Sequence, residues 1–226
     1  DVLWPQSCEL QQVARISRGS TTGGNAFFYL SKTESENYGL EEEYLFDVLR
    51  RPVESQSIRT SLSNRQTLMF TCSGTKESLR GTQALSYILD GESKGYDQGS
   101  TCRSRNIWYN VNPSESAQIL WMETMGSSHR VCFNDQEVQH SDKFYGIYPF
   151  EDKIDSLKLC IWLNSTPIIL HKLLTSFNSL GLGALKSPVY EVKKIPVPDL
   201  DLLQFDEKAL GSFLQRPIHD VVTEMS

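Results

Sequence analysis

The spacing of hydrophobic residues changes repeatedly along the chain, and these changes predict an alternation of short strands and helices. Runs rich in β-branched and aromatic residues, bounded by turn-forming residues, are typical of strands. The predicted strands are 10–18, 26–30, 67–72, 107–111, 118–122, 129–133, 143–148 and 189–195. Gly19, Gly23, Gly24 and Asn25 separate the first two and indicate a turn, because these residues tolerate positive φ.

Other segments carry apolar residues three, four or seven positions apart, which is the spacing of one helix face. From Asp152 onward this spacing runs until 164–167, where Ser165 or Thr166 is a candidate cap and Pro167 suits a first helical turn. The predicted helices are 41–50, 82–92, the segment that starts at Asp152, 168–177, 206–214 and 218–223.

Strands that recur about every ten residues favour a mostly antiparallel sheet. We therefore expect an α+β (mixed α/β) fold, in which helices from Asp152 to Phe177 pack on a twisted sheet. The 226 residues are enough for a sizeable core, and no repeat or long linker divides them. The expected organisation is one domain over residues 1–200 and a C-terminal helical extension over 201–226.

Composition places the chain among ordinary soluble globular proteins, with 39% hydrophobic and 22% charged residues. No apolar run is long enough to span a bilayer, and no signal peptide is recognisable. The first residue is Asp1 rather than Met, from which we expect an excised fragment. The five cysteines include no C-x-x-C pair, so we expect reduced thiols and a cytoplasmic location.

The formal net charge is −6, which counts against nucleic-acid binding because phosphates attract a basic surface. The charge is unevenly distributed, however. Residues 50–65 hold four arginines and one acid, whereas residues 34–47 hold six acids and no base. An acidic protein with such basic islands grips DNA on one face only if the islands converge in the fold.

The motifs of self-contained enzymes are absent from the sequence. The four histidines have no partner at helical metal-ligand spacing, so we expect no metal site. There is no G-x-S-x-G, Ser-x-x-Lys or Walker motif, and Gly181-Leu-Gly183 lacks the third glycine of a dinucleotide loop. Cys132 stands in a strand-like apolar run, which favours a core position over a catalytic one. We therefore expect no catalytic residues in this chain.

Several short motifs occur in a fixed order over residues 10–200. They are Arg18-Gly19 with 22–30, Arg51-Pro52 with Ile58-Arg59, Tyr87-Ile88 with Gly91-Glu92, 103–109, 129–145, 163–166, 181–186 and 196–199. This order resembles the C-terminal target-recognition region of N6-adenine DNA methyltransferases from type I and type IIG restriction-modification systems. The methyl-donor loop and the Asn-Pro-Pro-Tyr loop of those enzymes are absent, since Asn112-Pro113 is followed by Ser114.

The resemblance implies the half of a modification enzyme that reads DNA sequence. The implied partners are double-stranded DNA and the catalytic methyltransferase domain of the same parent chain, with no membrane. S-adenosylmethionine is expected in that missing adenine-specific domain, and no cofactor is expected here. The implied DNA-binding residues are Arg18, Gly23, Gly24, Asn25, Arg51, Arg59, Arg103, Arg105, Trp108, Tyr109 and Lys186.

Each of these residue types has a role at a DNA surface. Arginine makes bidentate contacts to guanine, a glycine-rich turn brings backbone N–H groups to phosphates, and Lys186 suits a phosphate. Trp108 and Tyr109 suit stacking or wedging at a distorted base step, because base-modifying enzymes extrude their target. The structural alternatives stay open: the aromatic residues also suit a core, and the arginines also suit ion pairs.

Two other functions remain as hypotheses. One is a protein-interaction module that docks a methyltransferase onto a partner subunit, which the acid-rich tail and the charge of −6 favour. The other is a stand-alone enzyme of unknown type, for which no constellation of residues is visible. Salt-dependent affinity for duplex DNA distinguishes the reader from the docking module.

Overall fold

The computed structural model describes residues 7–55, 57–60, 67–113, 115–178, 184–202 and 207–222. The strands are β1 (Cys8–Glu9), β2 (Ala14–Arg18), β3 (Tyr29–Ser31), β4 (Leu45–Leu49), β5 (Thr67–Phe70), β6 (Ile119–Met122), β7 (Thr124–Met125), β8 (Val131–Phe133), β9 (Gln139–His140), β10 (Phe144–Pro149), β11 (Phe177–Asn178), β12 (Leu185–Lys186) and β13 (Pro196–Val197). The α-helices are α1 (Leu10–Val13), α2 (Asn25–Phe28), α3 (Lys32–Tyr38), α4 (Gln83–Ser93), α5 (Ser100–Arg103), α6 (Ser156–Leu163), α7 (Thr166–Thr175), α8 (Val189–Lys193) and α9 (Glu207–Gln215).

The main sheet has the strand order β2-β10-β6-β8, and all its neighbours are antiparallel. Ile147 at its centre pairs with Ile16 on one side and Ile119 on the other. One face of the sheet shares a core with α6, α7 and α8, whose apolar sides include the buried Leu159 and Ile168. The other face forms a second cluster with Leu49 and Val138. Burial on both faces explains why β10 is apolar throughout.

A second four-stranded sheet has the order β3-β5-β4-β9, in which only the β4–β9 pair is parallel. Its core is aromatic. Phe27 stacks on Tyr87 of α4 at 4.7 Å between ring centres, and Phe70 meets both rings edge-on. Helix α4 begins where Thr82 accepts the Leu85 N–H, the side-chain cap that its sequence favours.

The two large sheets meet at the segment His140–Ser141, which we call the joint. The Ser141 N–H donates to the Leu49 carbonyl at 3.1 Å, and the Ser20 N–H donates to the His140 carbonyl at 3.1 Å. The His140 ring is buried between two glycines, since a Cβ on Gly19 would lie 2.6 Å from its Cδ2 and one on Gly146 would lie 2.8 Å from its Nε2. Only glycine leaves room for the imidazole there. Burial lowers the pKa of His140 to about 4, so the ring is neutral at pH 7.

The described part of the C-terminal tail packs on the main body. Leu214 of α9 belongs to the core of the main sheet, and its carbonyl accepts the Arg59 N–H at 2.9 Å. The Val221 N–H donates to the Ser127 carbonyl at 2.7 Å. The division into 1–200 and 201–226 stays a prediction.

The predicted α+β class with mostly antiparallel sheets is confirmed, and so are the strands near 67–72, 118–122, 129–133 and 143–148. The helix at 82–92 is confirmed, and α7 starts beside Pro167 as expected, with Ser165 at its N-cap position. It ends at Thr175 rather than at 177, because Phe177 joins β11. Helix α9 matches the prediction for 206–214, whereas only 221–222 of the segment 218–223 are helical and residue 223 lies outside the described part.

Several predicted elements were wrong. Residues 41–50 form a 3-10 turn and then β4 instead of a helix, because pairing with β5 and β9 decides between two periods that the apolar spacing fits equally. Residues 189–195 form α8 instead of a strand, with Pro188 at the N-cap and Val192 in the core. Residues 10–13 and 25–28 are helical turns before their strands, and 107–111 is a turn closed by the Asn110 N–H on the Ile107 carbonyl.

The cysteines are free thiols, and Cys132 lies in the core as predicted. Cys8 is half-buried, and the others are buried. In the described part of the chain, none of the helices is both long and apolar enough to cross a membrane.

Candidate nucleic-acid interface

Three segments of the chain lie side by side at the joint. The Asp142 N–H donates to the Ser20 carbonyl at 3.2 Å, and the Ser141 hydroxyl donates to the Arg50 carbonyl at 2.7 Å. These contacts bring together residues 18–25, 50–51 and 142–143, which we call the basic ridge. The first and last of these segments are more than a hundred residues apart in the sequence. They become neighbours only because of the fold.

Exposed cations mark the ridge. The side chains of Arg18, Arg51 and Lys143 are 49%, 66% and 60% exposed. Arg51 donates through Nε to Glu54 at 2.9 Å, and Lys143 lies 3.9 Å from Asp142. Since a guanidinium has five N–H donors, such exposed pairs leave donors for a ligand, and they add little to stability.

Glu123 is a buried acceptor for two of the predicted DNA-binding cations. Its side chain is 6% exposed, and its carboxylate lies 3.4 Å from Arg18 Nη2 and 3.1 Å from Lys186 Nζ. The Tyr145 hydroxyl also donates to it at 3.0 Å. Burial, together with this carboxylate, raises the pKa of Tyr145 above its ordinary value. The arrangement joins β12 to the end of β2 and holds both cations at the edge of the ridge.

The turn at residues 23–25 requires glycine at one position. Gly23 has φ +80°, and a Cβ there would lie 2.6 Å from Thr101 Cβ of α5. Gly24 is the N-cap residue of α2, and the Thr22 hydroxyl donates to Asn25 Oδ1 at 2.6 Å. The turn is therefore exposed at its tip and fixed from below by α5.

The two arginines near α5 differ in their surroundings. Arg105 donates to the Thr21 carbonyl at 2.6 Å and to the Trp108 carbonyl at 3.2 Å, and its guanidinium lies 5.4 Å from the centre of the Phe28 ring. Arg105 thus holds the segment that leads into the turn at residues 23–25. Arg103 is exposed in the last turn of α5.

Trp108 and Tyr109 pack inside the second sheet's aromatic core. The Trp108 ring lies 4.7 Å from the Phe27 ring and donates through Nε1 to Glu92 at 2.8 Å. Tyr109 is 3% exposed, and its hydroxyl donates to the Gly74 carbonyl at 2.8 Å. Because Tyr109 is buried, its ring has no face free to stack on a base. Its position is that of a core residue, the alternative left open by the sequence.

Arg59 lies away from the ridge, at the edge of β8. It bridges to Phe133 and donates through Nε to Asp135 at 2.7 Å. Of the predicted glycine turn near Lys186, Gly181 to Gly183 lie outside the described residues. The structure thus brings the segments of Arg18 and Arg51 side by side at the joint. It places Arg105 under the turn that contains Gly23–Asn25 and Arg59 at a different sheet edge.

Two buried polar residues were missed by the sequence reasoning. Lys172 is 1% exposed, donates to the Met122 carbonyl at 2.9 Å and lies 4.5 Å from the centre of the Trp121 ring. Burial lowers its pKa to about 7. The other is Glu123. Both carried a signal, because Glu123 interrupts an apolar strand and Lys172 stands four positions after Ile168 on the inner side of a helix.

Metal-ligating side chains do not cluster in the described ranges. No group of three or more His, Cys, Asp or Glu residues there has the geometry to hold an ion.

Sequence comparison assigns the chain to a known family. The profile described as "Type II methyltransferase M.Eco57I, C-terminal domain" matches residues 5–219. The chain belongs to this family. The resemblance to the C-terminal region of type IIG methyltransferases is thereby confirmed, and the M.Eco57I C-terminal domain places the chain in a restriction-modification methyltransferase context.

Solved structures share the fold at low identity. The type IIG restriction endonuclease BpuSI matches with a TM-score of 0.67 and 14% identity over 95% of this chain and 27% of its own. The type IIL restriction-modification enzyme MmeI, solved in complex with DNA, matches with a TM-score of 0.58 and 14% identity over 91% of this chain and 28% of its own. This chain therefore spans about a quarter of the length of these two enzymes.

Proposed function

We propose that the chain is the DNA target-recognition domain of an N6-adenine methyltransferase in a restriction-modification system. The observation that carries the proposal is the basic ridge, where the segments that hold the exposed Arg18, Arg51 and Lys143 lie side by side in a chain whose net charge is −6. An acidic chain of this kind can bind DNA on one face only if its basic islands lie close together in the fold. The family membership and the fold shared with MmeI support the same function.

The ridge suits a division of labour between phosphate and base contacts. Arg51 and Lys143 are exposed cations that suit phosphates, and phosphate contacts fix the register of a protein on the duplex. The glycine turn at 23–25 lets the backbone approach closely, and Arg103 beside it has the free length to reach a base edge. A bidentate arginine–guanine contact supplies about 1–3 kcal/mol of discrimination. Arg105 acts from below, because it holds the turn through the Thr21 carbonyl.

The chemistry would belong to another domain. In this proposal the catalytic domain of the same cytoplasmic parent protein binds S-adenosylmethionine and receives the flipped adenine, while the ridge holds the flanking duplex. This chain is then a reader without catalysis of its own. A docking module for a partner subunit is the second candidate, which the net charge of −6 and the acid-rich tail favour.

The test is selection from a random duplex pool at low salt, followed by a salt titration of the enriched sequence. A reader gives an enriched motif, and its log affinity falls linearly with log salt at a slope of about −0.9 for each phosphate contact. Arg18→Ala should weaken binding. Arg15→Ala is the matched control, since Arg15 stands on the same strand, is equally exposed at 48%, and pairs with Glu115 away from the ridge. No enrichment and no salt dependence would reject the reader and favour the docking module.

A further inference from the structure

The outer side of α7 is apolar. Leu170, Leu173, Leu174 and Phe177 are 43%, 36%, 77% and 54% exposed. They follow one another at three, one and three positions, so they line a single side of the helix and its C-terminal continuation. We call these four residues the α7 apolar face. The opposite side of the helix is buried in the main core.

A surface helix normally directs charged and polar side chains to water, so this pattern calls for a covering partner. Another exposed apolar ring lies on α8, where Tyr190 is 49% exposed. The two elements are neighbours, since the Ser176 and Ser187 hydroxyls lie 2.8 Å apart. Exposed apolar residues that line one side of a surface helix are typical of a protein interaction site.

The α7 apolar face adjoins the candidate DNA surface. Phe177 in β11 pairs directly with Lys186 in β12. Lys186 in turn lies 3.1 Å from Glu123, the carboxylate that also pairs with Arg18. A partner seated on α7 would therefore stand beside the basic ridge and reach a duplex bound there.

We infer that the α7 apolar face is the docking surface for the catalytic methyltransferase domain of the parent protein. The inference rests on the proposed function, which supplies both the duplex and the catalytic domain. The enzymes that share the fold carry it as 27% and 28% of their length, so most of each chain lies outside it. A domain docked at Phe177 would lie next to Lys186 and hence beside the basic ridge, where the proposed function places the duplex.

Cysteine labelling tests which surface is covered. Leu174→Cys and, as control, Leu202→Cys are made in a Cys8→Ser background, because both leucines are highly exposed at 77% and 73%. In the 226-residue chain both cysteines should react rapidly with a maleimide. In the parent methyltransferase Leu174→Cys should become protected, and Leu202→Cys should react as before. Equal labelling of Leu174→Cys in both proteins would overturn the inference, and so would protection of Leu174→Cys by dimerisation of the isolated chain.

Activity of paired variants provides the second measurement. Leu173→Ser/Leu174→Ser in the parent enzyme should reduce DNA methylation by about tenfold or more, the effect of losing buried anchors from an interface. The matched control Leu89→Ser/Leu202→Ser removes two exposed leucines from other surfaces and should leave methylation unchanged. Duplex affinity of the isolated chain should stay the same for both variants. If the isolated chain does not bind DNA at all, the proposed function fails; if it binds and the α7 variant methylates normally, only the docking surface fails.

Discussion

Lys186 Nζ lies 3.1 Å from Glu123 Oε1, and the same buried carboxylate lies 3.4 Å from Arg18 Nη2. Two cations of the candidate interface thus share one anion that solvent barely reaches. Their charge is partly neutralised before any DNA arrives, and their positions are fixed relative to each other. The carboxylate therefore lowers the positive potential of the surface while it orders the side chains.

Glu123→Gln should separate these two effects. Because the buried carboxylate holds several donors, its loss should destabilise the fold by about 1–3 kcal/mol, measured by urea denaturation. Affinity for any duplex sequence should rise at low salt, since the surface loses a negative charge. Glu115→Gln is the control for stability, because Glu115 is 76% exposed and its pair with Arg15 contributes little. Weaker duplex binding by a folded Glu123→Gln protein would show that positioning outweighs charge.

Arg105 and Arg103 should respond differently to truncation. Arg105→Ala removes the donors to the Thr21 and Trp108 carbonyls and should lower stability by about 1–3 kcal/mol. Arg103→Ala removes an exposed side chain and should leave stability within about 0.5 kcal/mol while it weakens duplex binding. Thermal unfolding and duplex titrations of both variants provide the comparison. Unchanged stability in Arg105→Ala would contradict the anchoring role.

Two helical glycines should give opposite results when replaced by alanine. A Cβ on Gly91 in α4 would lie 2.5 Å from Phe27 Cε2 and 3.1 Å from the Trp108 ring, so Gly91→Ala should destabilise by about 1–3 kcal/mol through overpacking. A Cβ on Gly211 in α9 meets nothing within 4 Å, so Gly211→Ala should stabilise by about 0.5–1 kcal/mol. Chemical denaturation measures both. Equal stabilisation by both substitutions would mean that helix propensity, and not packing against the aromatic core, decides the effect at Gly91.

Lys172 should make stability depend on pH above neutrality. Its pKa is about 7 in the folded chain, against 10.5 ordinarily, because burial disfavours its charge. Between these values the unfolded chain binds more protons, so stability should rise as pH increases from about 7 to 10.5. Each unit of displacement corresponds to about 1.4 kcal/mol.

Lys172→Met isolates this contribution from other titrating groups. The variant should be more stable than the unmodified chain at pH 7, and the difference should shrink as pH rises toward 10. The groups that face Lys172 are Trp121, whose ring it covers, and the buried His129, whose pKa is lowered to about 3 by burial and by this neighbouring cation. A difference in unfolding free energy that stays constant between pH 7 and 10 would contradict a displaced Lys172 pKa.

Sequence patterns within a short segment predicted those helices whose ends and apolar face are marked in that same segment. Helix α4 has one apolar face, and α7 has Pro167 in its first turn, so both follow from short stretches of sequence. The helix predicted at 41–50 was wrong because Leu45, Val48 and Leu49 fit a helix face and a strand equally. Pairing with β5 and β9 makes this segment a strand. Such a choice depends on residues that are distant in sequence.

The candidate site shows the same limit. The arginine islands were visible in the sequence, but their grouping around residues 140–142 depends on the β4–β9 pair and the Ser20–Ser141 bridge. Whether an aromatic residue faces a base or a core also depends on packing, and the buried Tyr109 donates its hydroxyl to the Gly74 carbonyl, 35 residues away. The order of the motifs identified the family, whereas the surroundings of each residue depend on the fold.

The glycine-flanked His140 at the joint has a mechanical consequence. Opening the angle between the two sheets would break the Ser20–His140 and Ser141–Leu49 hydrogen bonds and unseat a ring that fills the space left by Gly19 and Gly146. In the proposed reader, this joint would keep the angle between the two sheets constant, so the protein would not close around the DNA. The duplex would then have to bend to match the rigid protein surface. Flexible base steps next to the target would lower the cost of bending, so the protein would prefer them without contacting them.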